Sequence, residues 1–190
     1  MGTIVAVSCS PKTDGSSSRI SDAFLDGAMG LSTNIIRLHR VSKFKAIQDC
    51  HRCLDCKKTC RCSIVDDLQP VLDDIVKADC VVFSTPVYFD SPCALYKMVE
   101  DRMYSFLDDN MNSTLPKGKK ALLIVTSFYP DTDLPEIAGK LAKNLELIGF
   151  EIMGVITYCD YKGTQPVDNN PILLQEAKKM GLSMRNTPVV

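Results

Sequence analysis

Apolar and polar positions along the chain fall into two alternating rhythms. Short apolar runs, Thr3-Ile4-Val5-Ala6-Val7, Cys80-Val81-Val82-Phe83, Ala121-Leu122-Leu123-Ile124-Val125 and Ile152-Met153-Gly154-Val155-Ile156, are rich in β-branched residues and lack turn signals. That is the pattern of strands covered on both faces of a parallel sheet. Asn34 to Val41 mixes apolar with basic residues and predicts a partly exposed strand near a sheet edge. Between the runs, apolar residues recur at helical spacing: Ile20, Ala23, Phe24, Gly27 and Ala28, then Leu68, Val71, Leu72, Ile75 and Val76, then Leu95, Met98, Val99, Met103 and Phe106. A further helix is expected from Pro135 to Ile148, stopped by Gly149, and a last one opened by Asn170-Pro171. Asp66 or Asp67 is expected to cap the second helix. Ser91-Pro92 reads as the N-cap and first residue of the third, which runs to about Phe106. Five strands alternating with helices make a doubly wound α/β sheet, because each crossover must bury a helix on one sheet face. One domain over residues 1–190 is expected, with a cysteine-rich loop at 50–62.

Ligands of such a sheet collect beyond the strand C-termini, at the switch point between the first and third strands. Two loops meet there. Ser8 to Ile20, between the first strand and first helix, is rich in hydroxyls: Ser10, Thr13, Ser16, Ser17 and Ser18, with Lys12 adding a charge. A helix start leaves N–H groups unpaired and carries the positive end of the macrodipole, so this loop suits a phosphate. It has no G-x-G-x-x-G for a dinucleotide and no G-x-x-x-x-G-K-[ST] for a nucleoside triphosphate, which leaves a mononucleotide. The second loop, Thr85 to Ser91, holds Pro86-Val87-Tyr88-Phe89, a rigid apolar surface with two rings and backbone amides that suits a flat, partly polar heterocycle. A phosphate cradle beside a ring-binding loop describes a site for flavin mononucleotide.

Composition narrows the setting. The chain has 190 residues, 45% of them hydrophobic, and a formal net charge of −1, so it offers no basic footprint for nucleic acid. No apolar run reaches the length needed to cross a bilayer, and no basic n-region precedes an apolar core. A cytoplasmic protein is expected. Nine cysteines, an odd number and mostly clustered, fit thiolate or metal chemistry in a reducing compartment better than a disulfide framework.

With both loops in view, the chain resembles the flavodoxin-like NAD(P)H-dependent FMN reductases, and among them the iron-sulfur flavoproteins. Cys9-Ser10-Pro11-Lys12 through Gly15-Ser16-Ser17 is similar to that family's Gly-Ser-Pro-Arg and Gly-Asn-Thr phosphate loop. Ser84-Thr85-Pro86-Val87-Tyr88-Phe89 is similar to its Gly-Ser-Pro-Val-Tyr-Phe ring loop, and Lys97, Asp101 and Arg102 match polar positions on the following helix. The resemblance implies a five-stranded sheet in the order 2-1-3-4-5. It implies FMN with its phosphate on Ser10, Lys12, Ser16, Ser17 and Ser18 and its ring along Pro86, Val87, Tyr88, Phe89, Asp90 and Ser91. It also implies a homodimer or homotetramer. Two departures stand out: Cys9 and two serines replace Gly and Asn-Thr, and Thr126-Ser127-Phe128-Tyr129-Pro130 stands where such reductases commonly have a Gly-rich third loop.

Cys50, Cys53, Cys56 and Cys62 follow C-x2-C-x2-C-x5-C, and three thiolates so closely spaced can reach three corners of an iron-sulfur cubane. Cys60 offers a competing C-x2-C-x2-C-x3-C. The resemblance favours Cys62, because family members usually carry Gly at the position of Cys60 and a Cys followed by Asp-Asp, here Cys62 and Asp66-Asp67. The alternatives are a [4Fe-4S] cluster, reduced thiols with no cluster, and zinc, whose structural sites usually take two ligand pairs separated by a longer loop. Cys80 and Cys93 read as core, and His51 as a solvated loop residue. Lys97, Asp101 and Arg102 read either as flavin or dimer contacts or as a charged helix face.

Flavin performs its own hydride chemistry, so no acid-base triad is required and none is visible. With a cluster, an oxidoreductase coupling FMN to ferredoxin-like partners, oxygen or quinones is expected. Without one, an NAD(P)H-driven reductase of flavin, quinone or nitro compounds is expected. A non-enzymatic electron carrier is the alternative of a different class, although flavodoxin-type carriers are usually strongly acidic and this chain is not. A thiol redox sensor built on Cys50–Cys62 is a third.

Overall fold

Alternation along the central strands divides the interior in two. Val5 and Val7, Val81 and Phe83, and Ala121, Leu123 and Val125 point to one face of the sheet, where the helices at residues 69–77, 94–102 and 134–148 cover them. Ile4 and Ala6, Cys80 and Val82, and Leu122 and Ile124 point to the other, under the first and last helices. The computed structural model describes residues 2–30 and 33–184; Met1, residues 31–32 and residues 185–190 of the expected domain lie outside the described residues.

The elements are β1 (Thr3–Ser8), α1 (Ser16–Met29), β2 (Ile35–Arg40), α2 (Cys56–Thr59), α3 (Gln69–Lys77), β3 (Cys80–Tyr88), β4 (Ser91–Pro92), α4 (Ala94–Arg102), β5 (Lys120–Ser127), α5 (Leu134–Ile148), β6 (Glu151–Cys159) and α6 (Pro171–Ser183). The parallel strands lie in the order β2-β1-β3-β5-β6, with the two-residue β4 paired antiparallel to β3. Set β4 aside and this is the 2-1-3-4-5 order of a flavodoxin-like sheet. Its switch point lies where β1 pairs with β2 on one side and β3 on the other. β2 is an edge strand with Ile35 and Leu38 exposed, in keeping with its mixed sequence.

Several boundaries differ from the sequence pattern. β3 does not stop at Phe83 but continues to Tyr88, because β5 supplies a register partner as far as Pro86. Ser91-Pro92 does not open a helix: it turns back as β4, pairing Ser91 with Tyr88 and Pro92 with Val87, and Cys93 becomes the N-cap of α4. α4 ends at Arg102 and tightens into a 3₁₀ turn, Met103–Phe106. Neither Asp66 nor Asp67 is the N-cap of α3, which is Leu68. The Asp66 carboxylate instead accepts the Leu68 and Gln48 N–H groups, and Asp67 those of Lys45 and Ala46. α5 begins at Leu134, one residue before the predicted Pro135, with Asp133 as its N-cap; the last two predicted ends hold. Asn170 accepts from the Leu173 N–H to cap α6, and Gly149 (φ +114°) ends α5.

α1 and α6 cross with their backbones in contact. A Cβ on Gly27 would lie 1.9 Å from the Lys178 carbonyl oxygen, and one on Gly181 would lie 1.9 Å from that of Phe24. No helix among the described residues is long and apolar enough to cross a membrane.

Candidate functional site

The phosphate-loop candidates sit where β1 gives way to α1. The Cys9 N–H donates to the Ser84 carbonyl at 2.9 Å, fixing the loop's exit beside β3. The Ser18 hydroxyl donates to the Lys12 carbonyl at 3.2 Å and shares a 3.2 Å hydrogen bond with the Ser8 hydroxyl, while the Lys12 N–H donates to Ser10 Oγ. Arg40 braces the same loop from β2, donating to the Thr13 carbonyl and forking onto both carboxylate oxygens of Asp22 at 3.1 Å. α1 then begins after Gly15 with no side-chain cap and no acidic residue in its first turn. Its leading N–H groups are therefore free of a side-chain partner at the positive end of the helix. Ser10 and Ser17 lie buried beside this turn, and Lys12 is exposed, with only a loose 3.9 Å pairing to Asp14. The Ser16 hydroxyl makes a long 3.3 Å hydrogen bond to Asp160 Oδ2, and the other Asp160 oxygen is buried without a partner. Asp160 had no sequence signal; β6 carries it in from 144 residues away.

The ring-loop candidates form a hairpin, not an open loop. β3 and β4 are joined by Phe89 and Asp90, both left-handed at φ 50° and 55°, as a two-residue type I′ turn demands. Val87 is buried, Tyr88 is half exposed, and Phe89 at the tip is fully exposed. Asp90 and Ser91 are exposed and Pro86 is half-buried. The hairpin base is tied to the first loop: the Cys93 N–H donates to the Pro86 carbonyl at 3.0 Å, and the Cys93 thiol to the Cys9 carbonyl at 3.0 Å. Cys93 is core, as its pattern indicates, but it also staples the two candidate loops together. At the end of β5, Phe128 and Tyr129 pack edge to face at 5.5 Å and are partly exposed. An aromatic pair thus occupies the place of a Gly-rich third loop.

The cysteine segment folds over the far end of α4. Cys50, Cys53, Cys56 and Cys62 border one open cavity, together with Arg102 and Tyr104, whereas Cys60 does not border it. The chain curls round this space with Arg52 and Leu54 in left-handed conformations. Cys60 is also left-handed, at φ 52°, where it ends α2 and donates its N–H to the Cys56 carbonyl. All five thiols are free. Among the described residues no group of three or more His, Cys, Asp or Glu side chains is arranged to hold a metal ion. Burial pushes the Cys56 thiol up, against the pull of Lys57. Lys57 itself donates to the Tyr104 and Leu107 carbonyls and sits 3.4 Å from the centre of the Tyr104 ring.

Arg102, which the sequence left open between a flavin or dimer contact and a charged helix face, is buried, 1% exposed. Its Nε–H donates to Cys62 Sγ at 3.1 Å, Nη1 to the Gln48 carbonyl and Asp66 Oδ2 at 3.0 and 2.9 Å, and Nη2 to the Ile64 carbonyl and Asp66 Oδ1 at 3.0 and 3.3 Å. Burial pushes the Asp66 carboxyl up, but the Arg102 guanidinium and the Gln48 and Leu68 N–H groups outweigh it and hold the carboxyl below its ordinary value. Lys97 and Asp101 do lie on a charged face, where Lys97 pairs with Asp101 and Glu100. His51 is exposed, 3.8 Å from the Asp49 carboxylate.

Comparison with known proteins places the chain in a family and a fold. The sequence model of the family described as NADPH-dependent FMN reductase matches residues 3–131, which span both candidate loops and the cysteine segment. An iron-sulfur flavoprotein of Methanocaldococcus jannaschii is 30% identical over 101 residues, covering 52% of this chain and 50% of that protein, so the chain spans about half the length of this curated relative. Among solved structures, an NADH:FMN oxidoreductase in its apo form superposes with a TM-score of 0.68 at 18% identity, covering 100% of this chain and 92% of the other. An FMN-dependent NADH-azoreductase from Bacillus anthracis in complex with FMN gives 0.69 at 14% identity, covering 98% and 100%. At such identities the two structures speak for the fold.

Proposed function

The chain belongs to the NADPH-dependent FMN reductase family, and we propose that it is an FMN-dependent oxidoreductase moving electrons between NAD(P)H, or a ferredoxin-like donor, and small acceptors such as flavins, quinones or oxygen. One observation carries this reading: a helix start without a side-chain cap is stapled through Cys93 and Cys9 to a projecting aromatic hairpin. The donor set fits a flavin mononucleotide. The first-turn N–H groups of α1, including that of Ser18, with the hydroxyls of Ser10, Ser16 and Ser17 and the Lys12 ammonium, would hold the phosphate. The Ser18 hydroxyl already fastens the loop to the Lys12 carbonyl, so its part is to shape the cradle. Ser16 has only the long contact to Asp160 to give up.

Pro86 to Ser91 would hold the ring, with Val87 buried behind it, Tyr88 and Phe89 as apolar flanks, and the N–H groups of the turn as donors. When bound, the flavin supplies hydride acceptance and single-electron transfer. The protein orients it, fixes its tail and keeps water from one side. The Cys50, Cys53, Cys56 and Cys62 thiolates would hold a [4Fe-4S] cluster. Four soft donors around one cavity, with an N–H donor already on one sulfur, support this assignment. Exposed rings at Tyr88, Phe89, Phe128 and Tyr129 support a homodimer or homotetramer closing over the flavin.

Anaerobic purification followed by a visible spectrum, FMN titration and an NAD(P)H oxidation assay with a quinone acceptor tests the reading. Yellow protein with micromolar or tighter FMN affinity and acceptor-dependent turnover is expected. Colourless protein that takes up no added FMN would overturn it.

A further inference from the structure

We propose that Arg102 is the positioning residue of the cysteine site: it fixes the Cys62 sulfur on the cavity wall, makes Cys62 rather than Cys60 the fourth thiolate, and sets the reduction potential of the bound group through its Nε–H···Sγ hydrogen bond. The inference rests on the reading of the segment as a [4Fe-4S] site. A guanidinium has five N–H donors, and all five of Arg102 meet an acceptor, four of them oxygens and one the sulfur of Cys62. The acceptors come from both ends of the segment: Gln48 lies two residues before Cys50, and Ile64 and Asp66 follow Cys62. One planar group therefore closes the mouth of the segment and leaves a single direction for the Cys62 side chain.

Cys60 has no such support. It is exposed, its backbone is turned left-handed at the end of α2, and the next residue, Arg61, reaches out to fork onto Asp73 at 2.9 and 2.7 Å. A two-residue step along the chain thus separates a partly buried sulfur held by Arg102 from an exposed one.

The electrostatic consequence follows from burial. The Arg102 and Asp66 side chains are 0% and 1% exposed, so the hydrogen bond to sulfur is not weakened by competing water. A charge-assisted N–H donor on a ligand sulfur favours the more negative, reduced form of the group it binds, and hydrogen bonds to sulfur are among the determinants of cluster potential. Lysine keeps the charge but not the planar fork that reaches sulfur, carboxylate and two carbonyls together.

Four variants of the full chain, made anaerobically and reconstituted with iron and sulfide, decide the matter: Cys60→Ala, Cys62→Ala, Arg102→Lys and the neutral pair Arg102→Gln with Asp66→Asn. Iron content, circular dichroism and an EPR-monitored redox titration are read for each. Expected is full iron, about four per chain, in the native protein and in Cys60→Ala, and loss of the cluster in Cys62→Ala. The Arg102 variants are expected to show a more negative midpoint potential. Loss of iron in Cys60→Ala with retention in Cys62→Ala would overturn the proposal, and so would a folded Arg102→Lys or double variant with an unchanged potential. If the arginine variants fail to fold, the cysteine pair still decides which sulfur is used. Native protein that takes up no iron would bring down the cluster reading itself, and this inference with it.

Discussion

Phe89 and Asp90 occupy backbone conformations that side chains with a Cβ rarely adopt. Asn-Gly is the pair that such a turn prefers, so a fully exposed phenylalanine there is held at the expense of stability. Replacing Phe89→Asn together with Asp90→Gly is expected to stabilise the fold by about 1–2 kcal/mol, read as a higher thermal midpoint. A second prediction concerns acid. Asp66, Asp67 and Asp73 all titrate below the ordinary carboxylate value of 3.8: Arg102 and neighbouring N–H groups overcome burial at Asp66, the Ala46 and Lys45 N–H groups act on Asp67, and Arg61 acts on Asp73. A carboxylate depressed in the folded state gives stability that is fully present above its unfolded value and lost as pH falls through the folded one. The three anchor the cysteine segment together, so its base should loosen before the sheet does. Near-UV circular dichroism, to which Tyr104 beside the segment contributes, followed from about pH 5 to about pH 2, is expected to change ahead of the far-UV signal. The sequence marked Asp66-Asp67 as closing the cysteine segment but not what they hold. Arg102 lies among helix residues of ordinary polarity, and its burial is decided by Asp66 and Cys62, 36 and 40 positions earlier.

At the scale of elements, hydrophobic rhythm located every strand of the parallel sheet and five of the six helices, because two-sided burial forces long apolar runs and helical stripes into the sequence. Where partners decide, it fell short. β3 outruns its apolar stretch because β5 pairs with it past Thr85, and Ser91-Pro92 imitates a helix start while serving as a return strand. α2 is one turn inside the cysteine segment, too short for any periodicity. The stripe on α1 did include Gly27, and the structure gives the reason, since α6 approaches so closely there that no side chain fits. Gly27→Ala and Gly181→Ala are each expected to destabilise the protein by about 1–3 kcal/mol, measured by urea denaturation. Either change should also weaken FMN binding, because α1 must shift and carry its first turn with it.

For the whole molecule, the switch-point rule brings both candidate loops to one end of the sheet, and the structure shows the thread between them, Cys93 to Cys9. The cysteine segment was recognised as a unit but not as one secured from outside itself. α4 leaves the hairpin at Cys93 and reaches the segment at Arg102, a rigid span of about 13 Å at 1.5 Å per residue. Loop grafting offers a practical corollary. Residues 48–66 transplanted into a cousin lacking an arginine at the matching position would import a carboxylate into a dry pocket with no counter-charge, a burden of about 3–5 kcal/mol. Such a hybrid should express poorly until the far terminus of the host's own helix is rewritten, and recover on that single edit. Portability of this module is governed by a residue that sits outside its boundaries.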